Sequence, residues 1–476
     1  MRALLLGLAL TTAAGDRDWG AALRMDAAAL HDDIATNHPG PLNPGDPGFA
    51  RRNDAELARA LRRASTARTF ADYFYAMRQY VASFDDGHVE FGMFGHTPED
   101  YRWPGFLTRY DADGEQRVFT AEERGAVPVG ARLIGCDGKT AEQVSAELVG
   151  SIVGRWSLLS QRHLFGSWTF TNTANPYVMR PARCSFDVGG TTRTVDLDWR
   201  AADPSALLAK TALQSMPRSV GRRVLADRTQ WLDLPSFNGD PGSEPGRQLT
   251  ALLNDIDSRR EELAKAPRIV LDLRGNGGGS SDWSYQIARR LWGDGTIAAA
   301  PASKVTVTWR ASAANLETIR SAFRERTTGG ALSSESRQWF ERTIKGLSAA
   351  LAADKATWTE PTKAAPRPIQ LTPTRPELGG RVYLVTDSSC MSACLDAVDL
   401  WRALGAIHAG QETSADTLYM ETRSDRLPSG LGSISVPMKV YHGRPRGSNE
   451  PVRPQREFPG DIADTPALEA WITALS

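Results

Sequence analysis

The run Pro267-Arg268-Ile269-Val270-Leu271-Asp272-Leu273-Arg274-Gly275-Asn276-Gly277-Gly278-Gly279 limits what this chain can become more than any other stretch. Its first half is a short apolar segment of the kind that forms a buried strand, and its second half carries four glycines among five residues. Glycine tolerates positive φ and lets the backbone come close to a ligand. Such a loop can therefore aim N–H groups at an anion ahead of the helix expected from Ser281. It suits a phosphate, an oxyanion or a plain turn. A nucleotide loop would want Gly-Lys-Ser/Thr or G-x-G-x-x-G spacing, and neither occurs here.

The surroundings of that run alternate in type. Strand signals at Thr229 to Leu234, Arg268 to Leu273 and Val382 to Thr386 are interleaved with helix signals at Pro245 to Leu263, Ser281 to Leu291 and Ala393 to Leu404. That order predicts an α/β unit with mostly parallel strands. Residues 311–351 read as a charged helical insertion. Upstream, apolar residues recur at helical spacing from Asp16 to Phe84, broken by His38-Pro39-Gly40-Pro41. Short alternating runs such as Gln116 to Thr120, Ala131 to Gly135 and Thr191 to Leu197 predict a β-rich unit, with a tight turn at Asp137-Gly138 and a helix from Thr140. A chain of 476 residues exceeds what one core usually supports. The expected division is a helical domain over 15–102, a β-rich domain over 103–205 and an α/β domain over 206–476.

Charge and cysteine usage narrow the function classes. The 56 basic residues balance 56 acidic ones, so neither nucleic acid nor an anionic membrane is expected as a partner. Residues 1–14, with Arg2, the apolar run Ala3 to Leu10 and small residues up to Ala14, read as an export signal, the plainer alternative being an N-terminal helix. No later stretch is long enough to span a bilayer. The four cysteines, Cys136, Cys184, Cys390 and Cys394, lack the clustering and histidine partners of a zinc site, so neither metal nor cofactor is expected. Cys136 and Cys184 suit either a disulfide or buried thiols. Cys390 and Cys394 are expected to pack beneath the segment they flank.

That segment runs from Arg381 to Leu395: an apolar strand, a polar turn, then a helix whose apolar face is Ala393, Ala397, Leu400 and Trp401. Ser392 falls at the helix N-terminus, where a developing oxyanion meets the positive end of the dipole and the Ala393 N–H is an orphan donor. A serine in that place also serves as an ordinary cap.

Together the two segments resemble the serine peptidase family that includes the C-terminal processing proteases, the tricorn protease core and the repeats of interphotoreceptor retinoid-binding protein. Asp-Leu-Arg-Gly-Asn-Gly-Gly-Gly at 272–279 is the most specific element of the likeness. Thr386-Asp387 before Ser392-Ala393 resembles the nucleophile segment, and Gly410-Gln411-Glu412-Thr413 resembles the Gly-Glu-x-Thr that follows it. Asp86-Gly87-His88, the stretch from Val129 to Leu148 and the region from Pro454 to Trp471 extend the likeness over nearly the whole mature chain.

The resemblance implies a crotonase-like catalytic core, a PDZ-like substrate-tethering module and hydrolysis of peptide bonds. The processing proteases use a lysine base in a Gly-Lys-Gly segment, where this chain has Thr413-Ser414-Ala415-Asp416-Thr417; its only lysine after Ser392 is Lys439. The tricorn-like branch uses a histidine from the helical domain, and His88 holds that position. Imidazole suits the role because its pKa of ~6.5 leaves it unprotonated yet basic near neutrality. The resemblance places the triad acid near Glu450, in Ser448-Asn449-Glu450-Pro451, with Glu412 and Asp416 as competitors. His38 and His442 are less suited to the base role.

The expected protein is thus an exported, periplasmic or secreted serine endopeptidase or processing peptidase acting on polypeptides. Ser392, His88 and Glu450 would be its catalytic residues, and the N–H groups of Gly277, Gly278 and Ala393 its oxyanion donors. A peptide or apolar-ligand binding protein on the same fold is the alternative, because the lysine is missing. An acyl-CoA enzyme would share the core but leave the PDZ-like stretch unexplained.

Overall fold

The computed structural model describes residues 17–475 apart from 96–99, 112, 124, 172–173, 212–217, 240–241, 300–304, 329–333 and 362–377. The expected export signal lies outside the described residues. The chain is a mixed α/β, multidomain protein, and among the described residues no helix is long and apolar enough to cross a membrane.

Its centre is a six-stranded sheet ordered Gly221–Val224, Gln230–Asp233, Arg268–Asp272, Arg381–Thr386, Ile407–Gly410 and Arg456–Glu457. All neighbours are parallel except the first pair. Side chains alternate in direction along a strand, and the burial follows that rule. Leu232, Ile269, Leu271, Val382 and Leu384 face one core with helices Glu244–Ser258, Asp282–Leu291 and Ala393–Ala403, while Trp231, Val270, Tyr383 and Val385 face Leu468 and Ile472 of the helix Thr465–Ala474. Both faces are covered, which explains why these strands read as continuous apolar runs.

The adjacent parallel strands Arg268–Asp272 and Arg381–Thr386 end in register, Asp272 beside Val385, so the glycine loop and the Ser392 turn leave the same edge of the sheet. Open α/β sheets bind ligands beyond the carboxyl ends of their strands. Beneath the glycine loop lies a buried ion network. Asp272, fully buried, accepts from Arg274 Nη2 at 2.7 Å, from Arg218 Nη1 at 3.0 Å and from Trp231 Nε1 at 3.0 Å. Removing one partner of such a network leaves the others uncompensated. Asp272→Asn is therefore expected to cost about 3–5 kcal/mol of stability in denaturant unfolding; a cost under about 1 kcal/mol would mean that water satisfies the two arginines.

A second, antiparallel sheet joins Glu90–Met93, Gly432–His442, Thr306–Arg310 and Thr357–Thr359, with Tyr419–Arg426 also on Gly432–His442. Helices Trp19–Asn37, Phe49–Ala64 and Phe70–Ala82 share a core with Phe91, Ile434, Val436 and Val440 of this sheet. The helical segment expected as a domain of its own is thus one layer on strands that the chain supplies some 350 residues later, as Phe91 paired with Ile434 shows. The insertion forms helices Ala313–Thr328 and Ser334–Ala352, which pack on Trp309 and Met438 of the same sheet.

The β-rich unit is an antiparallel sheet in the order Phe106–Tyr110, Gln116–Ala121, Arg132–Cys136, Arg183–Val188, Thr191–Asp196, with Lys139–Thr140 folded back on Arg132–Cys136. Its expected turn has φ of 48° at Asp137 and 80° at Gly138, and Thr140 caps the following helix in a reciprocal box with Gln143. Cys136 and Cys184, opposite each other across two strands, form a disulfide.

Candidate active site

Ser392 stands at the turn between the strand Arg381–Thr386 and the helix Ala393–Ala403 with φ 54° and ψ −125°. A side chain other than glycine is rare in that region, costs about 1–3 kcal/mol and persists only where the surroundings over-determine it. Here Asp416 Oδ2 accepts the Ser392 N–H at 2.7 Å. Gly278 (φ 99°) lies so close that a Cβ there would stand 2.7 Å from Ser392 Cβ and 2.9 Å from the Met391 carbonyl oxygen. Only glycine lets the two loops meet.

The glycine loop is held from both sides. The Gly275 N–H donates to Asp387 Oδ2 at 2.9 Å, which ties it to the serine turn, and buried Asn276 donates to the Leu234 carbonyl at 2.8 Å. Asn276 Oδ1 also accepts the Gly278 N–H at 2.9 Å. That donor, expected in the oxyanion pocket, is thus engaged inside its own loop. Among the described residues the Gly277 and Ala393 N–H groups have no protein acceptor, and Gly277 is exposed.

His88 follows the helix Phe70–Ala82 in a turn at Asp85-Asp86-Gly87. Its ring is largely buried, with 18% of the side chain exposed. Nδ1 faces Asp86 Oδ1 at 3.5 Å, an ion-pair contact too long for a hydrogen bond, while the His88 backbone N–H donates to the same oxygen at 2.8 Å. Burial acts to lower the His88 pKa, but the carboxylates of Asp86 and Asp416 outweigh it and the net direction is upward. Asp416 is buried, which pushes its own carboxyl up, against the opposing pull of His88 and Arg446. Its charge raises the His88 pKa while its Oδ2 grips the backbone of Ser392.

Arg155, which no sequence pattern singled out, locks these parts together. Its N–H donates to Asp85 Oδ1 at 2.6 Å, and its Nη1 donates to the Ala415 carbonyl at 2.9 Å. Its guanidinium fills the space above Gly87, where a Cβ would approach Cζ to 2.7 Å. Asn449 closes the other side: its N–H donates to the Asp416 carbonyl at 2.8 Å and its Nδ2 to the Asp85 carbonyl at 2.7 Å.

The structure separates the three carboxylates considered as partners of His88. Glu450 is exposed and accepts the Gly447 N–H at 2.7 Å, one residue from the Asn449 contacts but turned into its own loop. Glu412 accepts from Arg453 Nε at 2.9 Å. Asp416 is the one of the three whose charge is among the main causes raising the His88 pKa. Asp86 is buried against the ring.

His38 is fully buried, accepts the Gly40 N–H and stacks on Phe49 at 4.5 Å; burial pushes its pKa down to about 3, so it stays neutral. His442 ends its strand opposite Thr306. Lys439 donates to Glu421 at 3.1 Å among Trp309, Tyr441 and Trp339. Burial works against its charge, yet Glu421 and Tyr441 raise its pKa above the ordinary lysine value, and an ammonium so held accepts no proton.

Residues 229–425 match the model of peptidase family S41, a segment that takes in the glycine loop, Ser392 and Asp416 and leaves His88 and Glu450 outside. Among solved structures the chain is similar to mature CPAF, with a TM-score of 0.59 at 13% identity over 96% of each chain. Its likeness to mature CPAF complexed with lactacystin has a TM-score of 0.58 at 13% identity, over 96% of this chain and 97% of that one. At such identity the likeness is one of fold. No curated protein matches the sequence. Fold and family match together define a serine peptidase, a hydrolase of peptide bonds. The 229–425 segment is similar to peptidase family S41.

Proposed function

We propose that this peptidase is an exported endopeptidase or processing peptidase that works through a Ser392 acyl-enzyme with His88 as general base. His88 Nε2 takes the Ser392 hydroxyl proton as Oγ attacks the scissile carbonyl. The Gly277 and Ala393 N–H groups stabilise the resulting oxyanion, and His88 then gives its proton to the leaving amine. A water activated by the same ring hydrolyses the ester. Asp416, in preference to Glu450, is the carboxylate that favours the imidazolium. The single observation that carries this reading is that Asp416 holds the Ser392 N–H while its charge acts on His88.

The parallel sheet with its helices supports a crotonase-like core. The antiparallel unit, with its short capped helix and the exposed edge strand Thr191–Asp196, supports a PDZ-like module, in which an extended peptide would add a strand. That module is the wrong assignment if inactive Ser392→Ala protein binds no extended peptide. Both cysteine pairs are disulfide-bonded, which agrees with export to an oxidising compartment.

The test is digestion of casein or a mixed-peptide substrate by the mature protein across pH 5–9 as a rough span. Turnover that ends in new internal cleavage products is the expected result. Tight peptide retention with no cleavage at any pH would instead favour a binding protein on this fold.

A further inference from the structure

One covalent feature of the site has no part in the mechanism above. Cys390 and Cys394 are disulfide-bonded and fully buried, and Ser392 is the middle residue of the segment they enclose. The bond joins the turn before the nucleophile to the first turn of the helix Ala393–Ala403 after it. It bridges a sequence separation of only 4, against 48 for Cys136–Cys184. Cross-links restrict the unfolded chain more as the closed loop lengthens. The short bond therefore contributes least through the unfolded state, and what it constrains is local native geometry.

That geometry is the strained one. Ser392 keeps its φ of 54° between two hydrogen-bonded neighbours, the Cys390 N–H on the Asp387 carbonyl at 3.2 Å and the Cys394 N–H on the Met391 carbonyl at 3.1 Å. These bonds and the Asp416 contact restrain single N–H groups. The disulfide adds a covalent link between the two sides of the turn.

We propose that the Cys390–Cys394 disulfide is a positioning device for Ser392, which holds the hydroxyl ready for attack, so that opening the bond switches off acyl transfer while the fold and substrate binding persist. The proposal rests on the reading of Ser392 as nucleophile. Opening by a dithiol passes two electrons and two protons to Cys390 and Cys394 and leaves two protein thiols and a cyclic disulfide on the reductant. The thiols remain packed among Leu395, Val398 and Trp401, so the core has no reason to collapse.

The test compares the Cys390→Ala/Cys394→Ala protein with the Cys136→Ala/Cys184→Ala protein, reading kcat, KM and Tm on one peptide substrate. The first pair is expected to lose kcat about a hundredfold, with KM within about twofold and Tm little changed. The second pair is expected to keep kcat and lose Tm. Dithiothreitol acting on the Cys136→Ala/Cys184→Ala protein in mild denaturant, which gives it access to the buried bond, should reproduce the loss after return to buffer, with two thiols titratable on unfolding, and oxidised glutathione under the same conditions should restore activity. Unchanged kcat in the Cys390→Ala/Cys394→Ala protein, or a fall in kcat that merely tracks Tm, overturns the proposal. If the unmutated, oxidised protein cleaves nothing and carries no reactive Ser392, the nucleophile reading itself fails and the positioning role falls with it.

Discussion

Ser392→Ala is expected to lower kcat for peptide hydrolysis by at least about 10⁴-fold, because no other group in the site can form the acyl bond. Ser392→Gly should be equally inactive but more stable than the unmutated protein. Glycine occupies φ 54°, ψ −125° without the clash that a Cβ meets, so relief of strain should outweigh the added freedom of the unfolded chain by about 1 kcal/mol. Kinetics and denaturant unfolding on the two variants read both effects. A Ser392→Gly protein less stable than the serine form would mean that the side chain is held by packing and not by strain.

His88→Ala should cost about 10³–10⁴-fold in kcat/KM, the usual contribution of a positioned base together with the geometry it imposes. The pH dependence carries more information. The carboxylates around His88 raise its pKa above the ordinary 6.5. A base works only when unprotonated, so kcat/KM should be full above that raised pKa and fall as pH drops through it, with an acid limb on the alkaline side of 6.5. Asp416→Asn removes one raising charge and should move that limb toward lower pH while also reducing kcat. Glu450→Gln should leave the limb in place, since that side chain is spent on the Gly447 N–H. The opposite ranking, with Glu450→Gln moving the limb and Asp416→Asn not, would return the acid role to Glu450.

The parts of this site that are legible in the sequence are those whose cause is local. The strand, glycine loop and helix at 268–291 can be read because burial, φ freedom and helical periodicity all act within a few residues. Ser392 can be read for the same reason: a strand must end before a helix can begin, and the turn residue sits half-buried at that edge. The second sheet could not be read, because Glu90–Met93 finds its partner only at Gly432–His442. Arg155 could not be read either, since what makes it matter is a carbonyl 260 residues away and the missing Cβ of Gly87. The choice between Glu450 and Asp416 turns on which way a loop folds, and the spacing between residues holds no record of that. Asn276 is an intermediate case. Its place among glycines marks a turn, but that its Oδ1 would take the Gly278 N–H depends on its burial under Leu234.

The central claim is that Ser392 is a nucleophile activated by His88, and covalent labelling tests it most directly. The mature protein would be treated with a fluorophosphonate, digested and mapped by mass spectrometry, beside His88→Ala and Asp416→Asn. The mechanism predicts a single modified residue, Ser392, with labelling slowed strongly in His88→Ala and less in Asp416→Asn while all three proteins stay folded. Labelling of the His88→Ala protein at the unmutated rate, or a modification anywhere other than Ser392, would contradict it.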